Sequence, residues 1–272
     1  MKSIFINRTY YGFGDWVMFG SVIKMINIQR PELDVYFNLI NLPLWLVDLM
    51  ACADIKAYAV LRNLEMERYD CYIRHLVYKP AVIHQLHFIE SMVTELNRVS
   101  ALGIKYDPEI LMQYIGPEVK LDINRPYVVI PSMGSVNYVT STPKEWGANG
   151  ENFDNLAVEL HKHGVATVQV GCIRDIRLKN VDKCLLGSGL PVYHSAIINS
   201  DAVVSLENGL SHYAGHHRKR TYTIYRQQNV RPCHANYPNQ IPLTHELLTP
   251  EHLCDLIVKD IRTKEQKVYA CI

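Results

Sequence analysis

The sequence predicts an α/β protein made of two halves, each built around a parallel sheet and facing a central cleft. Short runs rich in β-branched and aromatic residues alternate along the chain with stretches of helical periodicity, as the crossover connections of parallel sheets require. The alternation pauses in a stretch that contains Gly116 and Pro117, and it then starts again. We therefore expect two domains, residues 1–122 and residues 123–272. Ligands of such proteins usually lie in a cleft at the carboxyl ends of the strands.

In the first half, strands are expected where apolar and aromatic residues cluster between turn-forming residues. Helices are expected where apolar residues recur with the period of a helix instead of that of a strand. One such helix ends before Pro31, and another begins at about Pro80. In chain order the predicted elements are a strand at 3–7, a helix at 16–29, strands at 34–40, 55–60 and 69–75, a helix from about 80 to 100, and a helix followed by a linker at 105–124.

The second half repeats the alternation with a long polar loop after its first strand. A helix over 152–164 ends at Gly164, because glycine readily adopts the left-handed conformation that terminates helices. The predicted elements are a strand at 126–132, a loop at 133–150, that helix, a strand at 165–171, a short helix at 194–200, a strand at 201–206, a helix at 209–217, a strand at 221–225 and a last helix at 250–262.

Composition places the chain among globular proteins without a strong charge. Of its 272 residues, 48% are hydrophobic and 20% are charged, which are ordinary values. The formal net charge of +1 gives no global attraction to nucleic acid or to an anionic membrane. The seven cysteines are scattered without a C-x-x-C pair, as is typical of free thiols in a reducing compartment. No apolar run has the length of a signal peptide or a membrane span, so we expect a cytoplasmic protein with no integral membrane segment.

The first of three polar clusters lies where the first strand gives way to a helix, in Gly12-Phe13-Gly14-Asp15. Glycines let a ligand approach the backbone, and a helix that begins at Asp15 offers its free N–H groups to an anion. The plain alternative is that Asp15 is only the N-cap of that helix. The G-x-G fragment is weak evidence by itself, because no complete G-x-G-x-x-G and no P-loop motif is present.

The second cluster is the loop after the first strand of the second half, residues 132–146. Its hydroxyl groups, its backbone N–H groups and Lys144 are suited to surround a diphosphate. Trp146 is a candidate to pack beside a base or a sugar. The alternative is an ordinary solvated loop whose Trp146 fills the core.

The third cluster is the run "SLENGLSHYAGHH", residues 205–217. Glu207 is expected at the carboxyl edge of a strand, where it can accept hydrogen bonds from sugar hydroxyls. The next helix opens with Gly209–His212, which aims helix N–H groups at an anion. In the alternative, Glu207 and Asn208 are helix caps and His212 is a packed helix residue.

Other motifs are either missing or ordinary. The sequence contains no D-x-D pair, no H-E-x-x-H and no G-x-S-x-G. The run "HHRKR" at 216–220, with Arg226 and Arg231 beyond it, is the one local basic patch in the sequence. Such a run is usually a solvated helix end, although it is also able to meet the phosphates of a substrate.

Taken in order, the three clusters resemble those of the heptosyltransferase-type glycosyltransferases, glycosyltransferase family 9, whose GT-B fold has two Rossmann-like halves. The shared pattern is G-D at the first strand-to-helix turn, K-x-W in the loop after the first strand of the second half, and G-L-S-H at a late helix start. The resemblance covers most of residues 2–30 and 126–226. It departs from the family in two ways: Glu207 stands where aspartate is usual, and the N-terminal half is reduced in comparison with the family.

The resemblance implies a role for each matching position. Asp15 would be the general base, and Lys144 would contact the phosphate of the donor. The segment that would line the donor site comprises Glu207, Gly209, Leu210, Ser211 and His212. Secondary candidates for phosphate contacts are Ser132, Gly134 and Ser135, and candidates for the acceptor wall are Tyr10, Tyr11 and Phe13.

The expected function is inverting, metal-independent transfer of a sugar from a nucleotide-diphospho-sugar to an acceptor hydroxyl, with no cofactor beyond that co-substrate. The acceptor is left open between a saccharide and a hydroxymethylated base of DNA, as in the glycosyltransferases with which some phages modify their genomes. No basic amphipathic helix for membrane binding is visible, which favours an acceptor that is not a lipid. A module that binds a nucleotide sugar without catalysis and a nucleotide-sugar epimerase are alternatives.

Overall fold

The structure is a computed structural model that describes residues 1–7, 12–38, 48–51, 53–60, 69–73, 87–131, 146, 150–225, 237–245 and 248–269. These residues divide into two compact units, one within Met1–Gly116 and Pro232–Tyr237 and the other within Pro117–Arg231 and Pro238–Ile272. Among the residues so described, none of the helices has the length and apolar character needed to cross a membrane.

The first unit is built on a four-stranded parallel sheet in the order β3-β2-β1-β4. Its elements are β1 (Ser3–Ile6), α1 (Phe13–Gln29), β2 (Asp34–Asn38), β3 (Tyr58–Val60), β4 (Cys71–Ile73) and α2 (Phe88–Ser100).

One face of this sheet carries the core of the first unit. Ile4 and Ile6 of β1 lie in register with Val35 and Phe37 of β2, and all four side chains are buried. Helix α1 packs on this face through Trp16, whose ring centroid lies 6.0 Å from that of Phe37. The alternation of side chains along the strands therefore fixes which side of the sheet α1 covers.

The helix predicted over 105–124 is wrong, because residues 101–126 form neither helix nor strand. Two side-chain amides hold the start of this segment. Asn97 bonds both the N–H and the carbonyl of Ile104 at 2.7 and 2.6 Å, and Gln29 bonds those of Lys105 at 2.8 Å each. These side chains satisfy backbone groups that a helix would otherwise satisfy. Several apolar residues of the segment, among them Ile104, Leu111 and Met112, are buried without helical periodicity, whereas Ile115 is 72% exposed.

The second unit contains a six-stranded parallel sheet in the order β10-β9-β8-β5-β6-β7. Its strands are β5 (Tyr127–Pro131), β6 (Ala166–Gly171), β7 (Lys183–Leu186), β8 (Ala202–Leu206), β9 (Thr221–Tyr225) and β10 (Gln240–Thr244). Its helices are α3 (Glu151–Lys162), α4 (Leu190–Ile198), α5 (Gly209–His216) and α6 (Pro250–Tyr269). The sequence analysis missed β7 and β10, the two edge strands of this sheet.

In each sheet the strand order reverses at one point. The chain adds β2 and β3 on one side of β1 and then places β4 on the other side, so the first reversal lies between β1 and β4. In the second sheet β6 and β7 lie on one side of β5, and β8 begins the other side. Connections leave a sheet on opposite faces at such a point and open a crevice at the carboxyl ends of the strands.

Candidate functional site

Asp15 lies in the first turn of α1, the helix that follows β1 at the reversal of the first sheet. The helix begins at Phe13 and its N-cap is Gly12, so the alternative that Asp15 is the N-cap is wrong. Asp15 is instead the third residue of the helix and is half-buried. A carboxylate in a first turn lies where the positive end of the helix dipole favours a negative charge.

Gly12 makes room for the Asp15 carboxylate. A Cβ atom at position 12 would stand 2.8 Å from Asp15 Oδ2 and 3.7 Å from Asp15 Cγ. The φ of Gly12 is −75° and its ψ is 144°, a conformation that is open to other residues. A side chain at this position would therefore displace the Asp15 carboxylate, while the backbone itself would accept it.

Trp16 anchors the start of α1 behind Asp15. Its side chain is 2% exposed and meets Phe19 in an edge-on contact at 5.5 Å. Trp16 points to the core while its neighbour Asp15 is half-buried, so the carboxylate is carried by a turn that the core holds in place. Phe13, the acceptor-wall candidate among the described residues, is the first residue of the same turn and is half-buried.

The turn from β8 to α5 is organised by Asn208. Asn208 is the N-cap, and its Oδ1 accepts hydrogen bonds from the Leu210 N–H at 2.9 Å and the Ser205 hydroxyl at 2.9 Å. Asn208 and Ser211 also form a capping box, in which the Asn208 side chain accepts from the Ser211 N–H. Ser211 Oγ in turn donates to the Asn208 carbonyl at 2.7 Å.

This capping network leaves little of the helix start for an anion. The N–H groups of Leu210 and Ser211 and the hydroxyl of Ser211 all bond Asn208. The Gly209 N–H is then the one first-turn donor of α5 for which the described residues show no acceptor. The N–H groups at this helix start were predicted to face an anion; the structure uses most of them to begin the helix.

Glu207 and His212 occupy different environments in this turn. Glu207 follows the last residue of β8 and is half-buried at the carboxyl edge of the sheet. His212 is 5% exposed, and its carbonyl accepts a hydrogen bond from His216 Nδ1 at 2.7 Å. The structure thus places Glu207 at the edge where ligands of parallel sheets bind, and His212 inside the packing of α5.

The ends of β5 and β8 are neighbours in the second sheet. Val128 and Val129 of β5 pair with Ala202 and Val203 of β8, so the carboxyl end of β5 at Pro131 lies beside the strand that leads to Glu207. The remaining donor-site candidates follow β5 directly in the sequence. They lie outside the described residues, as do two of the acceptor-wall candidates: Ser132, Gly134, Ser135 and Lys144, and Tyr10 and Tyr11.

Trp146 fills the core of the second unit. Its side chain is 1% exposed, its Nε1 donates to the Leu248 carbonyl at 3.2 Å, and its ring meets Phe153 of α3 edge-on at 5.2 Å. The alternative that Trp146 fills the core is therefore the one that the structure shows.

The basic run at 216–220 is largely used within the second unit. The Lys219 ammonium donates to the carbonyls of Ile198 and Ser200 at 2.8 and 2.6 Å and so caps the end of α4. Arg220 forms an ion pair with Asp260 of α6 at 2.6 Å. The run also follows the C-terminus of α5, whereas Glu207 precedes the N-terminus of that helix. Lys219 and Arg220 therefore serve the fold, and the run lies away from the carboxyl edge.

A shallow depression of about 330 Å³ lies at the opposite, amino edge of the second sheet, lined in part by Arg125, Asp182 and Lys183. Asp182 accepts hydrogen bonds there from the Thr167 N–H at 2.8 Å and from His161 at 2.6 Å, and it pairs with Arg125. Burial opposes ionisation of Asp182, but these bonds more than offset it and hold its pKa below the usual range. The carboxylate is thus fully engaged in tying α3 to β6.

A cluster of buried aromatic and imidazole rings joins α4 to α5. His194 Nδ1 lies 2.9 Å from the Tyr213 hydroxyl, and the His217 ring lies 4.8 Å from the His194 ring and 4.7 Å from the Tyr213 ring. Burial, reinforced by His194, lowers the pKa of His217 to about 3, and burial also lowers the pKa of His194. Both rings are neutral at physiological pH and act as packing residues.

The sequence matches no model of a known protein family and no curated protein. Solved structures give a different result. The ADP-heptose lps heptosyltransferase II of E. coli superposes with a TM-score of 0.71 at 14% identity, covering 97% of this chain and 100% of its own. A glycosyl transferase of family 9 from Veillonella parvula gives a TM-score of 0.64 at 10% identity, covering 96% of each chain. The E. coli heptosyltransferase WaaC, determined with ADP, gives 0.63 at 11% identity, covering 95% of this chain and 99% of its own.

These superpositions cover nearly the whole chain at identities too low to carry more than the fold. They confirm, at the level of fold, the resemblance that the sequence motifs predicted. The chain therefore has the GT-B fold of the heptosyltransferase-type glycosyltransferases.

Proposed function

We propose that the protein is a glycosyltransferase that moves a sugar from a nucleotide-diphospho-sugar to an acceptor hydroxyl with inversion at the anomeric carbon. The observation that carries the proposal is the position of its two candidate segments. Asp15 follows β1 beside the strand reversal of the first sheet, and Glu207 follows β8 beside the reversal of the second. Both are the places where α/β sheets bind ligands.

In the proposed reaction Asp15 acts as the general base. Its carboxylate accepts the proton of the acceptor hydroxyl while that oxygen attacks the anomeric carbon. The bond between the anomeric carbon and the diphosphate oxygen breaks, and its electron pair leaves with the nucleoside diphosphate. A positioned general base of this kind typically contributes about 10²–10⁴-fold to the rate.

The second unit holds the donor in this proposal. Glu207 accepts hydrogen bonds from ribose or sugar hydroxyls, and the Gly209 N–H with the positive end of α5 faces the diphosphate. Lys144 neutralises the departing diphosphate, with Ser132, Gly134 and Ser135 as further phosphate contacts. The E. coli heptosyltransferase WaaC has been determined with ADP, which is a leaving group of this class.

We further propose that the transfer needs no metal ion and no cofactor besides the nucleotide sugar. The support is the absence of a D-x-D pair from the sequence together with the lysine assigned to the diphosphate. TibC of E. coli, a heptosyltransferase whose structure is similar, contains iron, so metal dependence is a direct test. Activity that survives exhaustive chelation supports the proposal, and activity restored only by added metal contradicts it.

The acceptor we propose is a saccharide, and the compartment is the cytoplasm. The described cysteines Cys71, Cys172, Cys184 and Cys254 are free thiols, which suits a reducing compartment. The basic run at 216–220 is compatible with a DNA acceptor, but its Lys219 and Arg220 are engaged in capping and in an ion pair.

The experiment that tests the function incubates the protein with a panel of nucleotide sugars, with and without saccharide and hydroxymethylated-DNA acceptors, and reads the products by mass spectrometry. Transfer to a saccharide is expected. Conversion of the donor without an acceptor would indicate an epimerase, and binding without turnover would indicate a catalytically inactive module.

Asp15→Asn is the matched variant for the mechanism. The amide keeps the size of the carboxylate but cannot take a proton, so donor binding should persist while transfer falls at least about 10²-fold. Turnover near the wild-type rate would refute the assignment of Asp15.

A further inference from the structure

The 172–180 loop, which follows β6 at the carboxyl edge of the second sheet, exposes apolar and cationic side chains next to one another. Ile173 is 77% exposed and Ile176 is 41% exposed, which are large values for isoleucine. Arg174 and Arg177 alternate with them and are exposed, and Lys179 follows. None of the roles proposed above uses this loop.

The loop is a built structure held at both ends. The Asp175 N–H donates to the Cys172 carbonyl at 3.0 Å, which makes Ile173 and Arg174 the central pair of a tight turn. Asp175 Oδ2 accepts the Cys172 N–H in return. Ile173 also rests on Gly187, where a Cβ atom would come within 2.9 Å of the Ile173 Cβ. The exposed pair is therefore presented at a fixed corner.

The far side of the loop is pinned by Gln169 and Asp154. Gln169, fully buried in β6, donates to the Ile176 carbonyl at 2.7 Å and accepts the Leu178 N–H at 3.0 Å. Asp154 Oδ1 accepts the N–H groups of Lys179 and Asn180 at 2.6 and 2.9 Å. The isoleucines are thus exposed on a loop whose backbone is fixed by hydrogen bonds.

The same contacts hold Asp175 and Asp154 half-buried beside the exposed side chains. The carboxylates of Asp175 and Asp154 face backbone N–H groups. In the part of the chain that the structure describes, Arg174, Arg177 and Lys179 form no ion pair. A protein of net charge +1 therefore carries a local cluster of three cations around two exposed isoleucines.

We propose that the 172–180 loop docks on an anionic lipid surface. Such a surface offers phosphates to the cations and an acyl layer beneath them to the isoleucines, so it matches both parts of the loop. A soluble anion would match the cations and leave both isoleucines in water. A pinned turn of this composition has no helical period, so the pattern of a basic amphipathic helix does not reveal it.

Sedimentation with phospholipid vesicles tests the docking without any reference to catalysis, so it can fail or succeed independently of the proposed function. The full chain is mixed with vesicles of phosphatidylcholine alone or with about one third phosphatidylglycerol. The protein should partition to the anionic vesicles, weakly to the neutral ones, and less as salt is raised.

Two double variants divide the interaction into its parts. Arg174→Gln with Arg177→Gln should lower the partition coefficient on anionic vesicles about 25-fold, at about fivefold for each cation near the surface. Ile173→Ser with Ile176→Ser should lower it about tenfold or more while the salt dependence remains. All four side chains are exposed, so the melting temperature should not change.

The matched control removes two exposed cations elsewhere, with Lys120→Gln and Arg262→Gln. This control should change the partition coefficient by less than about twofold. Absence of sedimentation with anionic vesicles overturns the proposal. Equal binding to neutral vesicles, or an equal loss in the control variant, overturns it as well, because either result would show that the loop is not the docking surface.

Discussion

The contact between Gly12 and the Asp15 carboxylate makes Gly12→Ala a test of the catalytic assignment that does not touch the carboxylate itself. A Cβ atom at position 12 would lie 2.8 Å from Asp15 Oδ2, well inside the contact distance of a carbon and an oxygen atom. The backbone at φ −75° and ψ 144° accepts alanine, so the strain is not relieved by moving the chain. The carboxylate has to move instead.

The required displacement is about 0.5 Å or a change of rotamer, since ordinary carbon–oxygen contacts begin at about 3.3 Å. A misplacement of about 1 Å at a catalytic group is able to cost about 10²-fold in rate. We therefore expect Gly12→Ala to lower kcat by about 10–100-fold with little change in the KM of the donor. The free energy of unfolding should hardly change, because two effects cancel. Alanine stabilises the protein by about 0.4–1 kcal/mol by restricting the unfolded chain, and it destabilises the protein by a similar amount because it is a worse N-cap than glycine.

The assay is steady-state kinetics of wild type, Gly12→Ala, Asp15→Asn and the double variant, with urea unfolding of each. If the residue at position 12 affects the rate only by moving the Asp15 carboxylate, Gly12→Ala should not lower kcat further in a protein that already carries Asp15→Asn. Two results would refute the reasoning: a kcat for Gly12→Ala within about twofold of wild type, or a full additive loss in the double variant.

Three further predictions concern stability. Asn208→Ala should destabilise the protein by about 1–2 kcal/mol in urea unfolding, because it removes the N-cap of α5 and one of the two acceptors of the buried Ser205 hydroxyl, whereas Asn208→Asp keeps the accepting oxygen and should cost much less. Gly20→Ala should cost about 1–2 kcal/mol in the same assay, because its Cβ would lie 2.0 Å from Met112 Sδ in the core, and a wild-type midpoint would contradict that packing. The pKa of His217 is lowered to about 3, so at acidic pH the folded state binds fewer protons than the unfolded state. The stability that the neutral His217 ring contributes is therefore complete above about pH 6.5 and is lost as the pH falls toward 3. Between pH 6.5 and 5 the loss should be about 2 kcal/mol, and His217→Asn should flatten that dependence; an unchanged slope would show that His217 is not its source.

The sequence predicted the interior of the fold better than its edges. Buried strands such as β5 and β9 are continuous apolar or β-branched runs between turn residues, and they were located within one residue. The edge strands β7 and β10 were missed because their residues are only half-buried and alternate weakly. The segment at 105–124 was mistaken for a helix because the amides that hold its start, Asn97 and Gln29, are remote in sequence or outside the segment.

The candidate site divides in the same way. The position of Asp15 after the first strand was predictable, since a strand, two glycines and an acid form a local pattern. The reason for Gly12 was not, because it depends on where a side chain three residues away folds back. In the turn from β8 to α5, Asn208 and Ser211 form a capping pattern that is visible in the sequence. In the structure this cap binds N–H groups that the family resemblance would assign to the sugar donor.

The two helix starts therefore contribute differently to the proposed reaction. Helix α1 has an N-cap without a side chain and places a carboxylate in its first turn, so the negative charge at that helix start is built in. Helix α5 has a side-chain cap and no acid in its first turn, so its dipole is available to an anion while most of its donors are not. A helix dipole amounts to about half a charge, which is small beside that of a diphosphate. In the proposed reaction the larger share of the compensating charge is therefore assigned to Lys144, in the loop after β5.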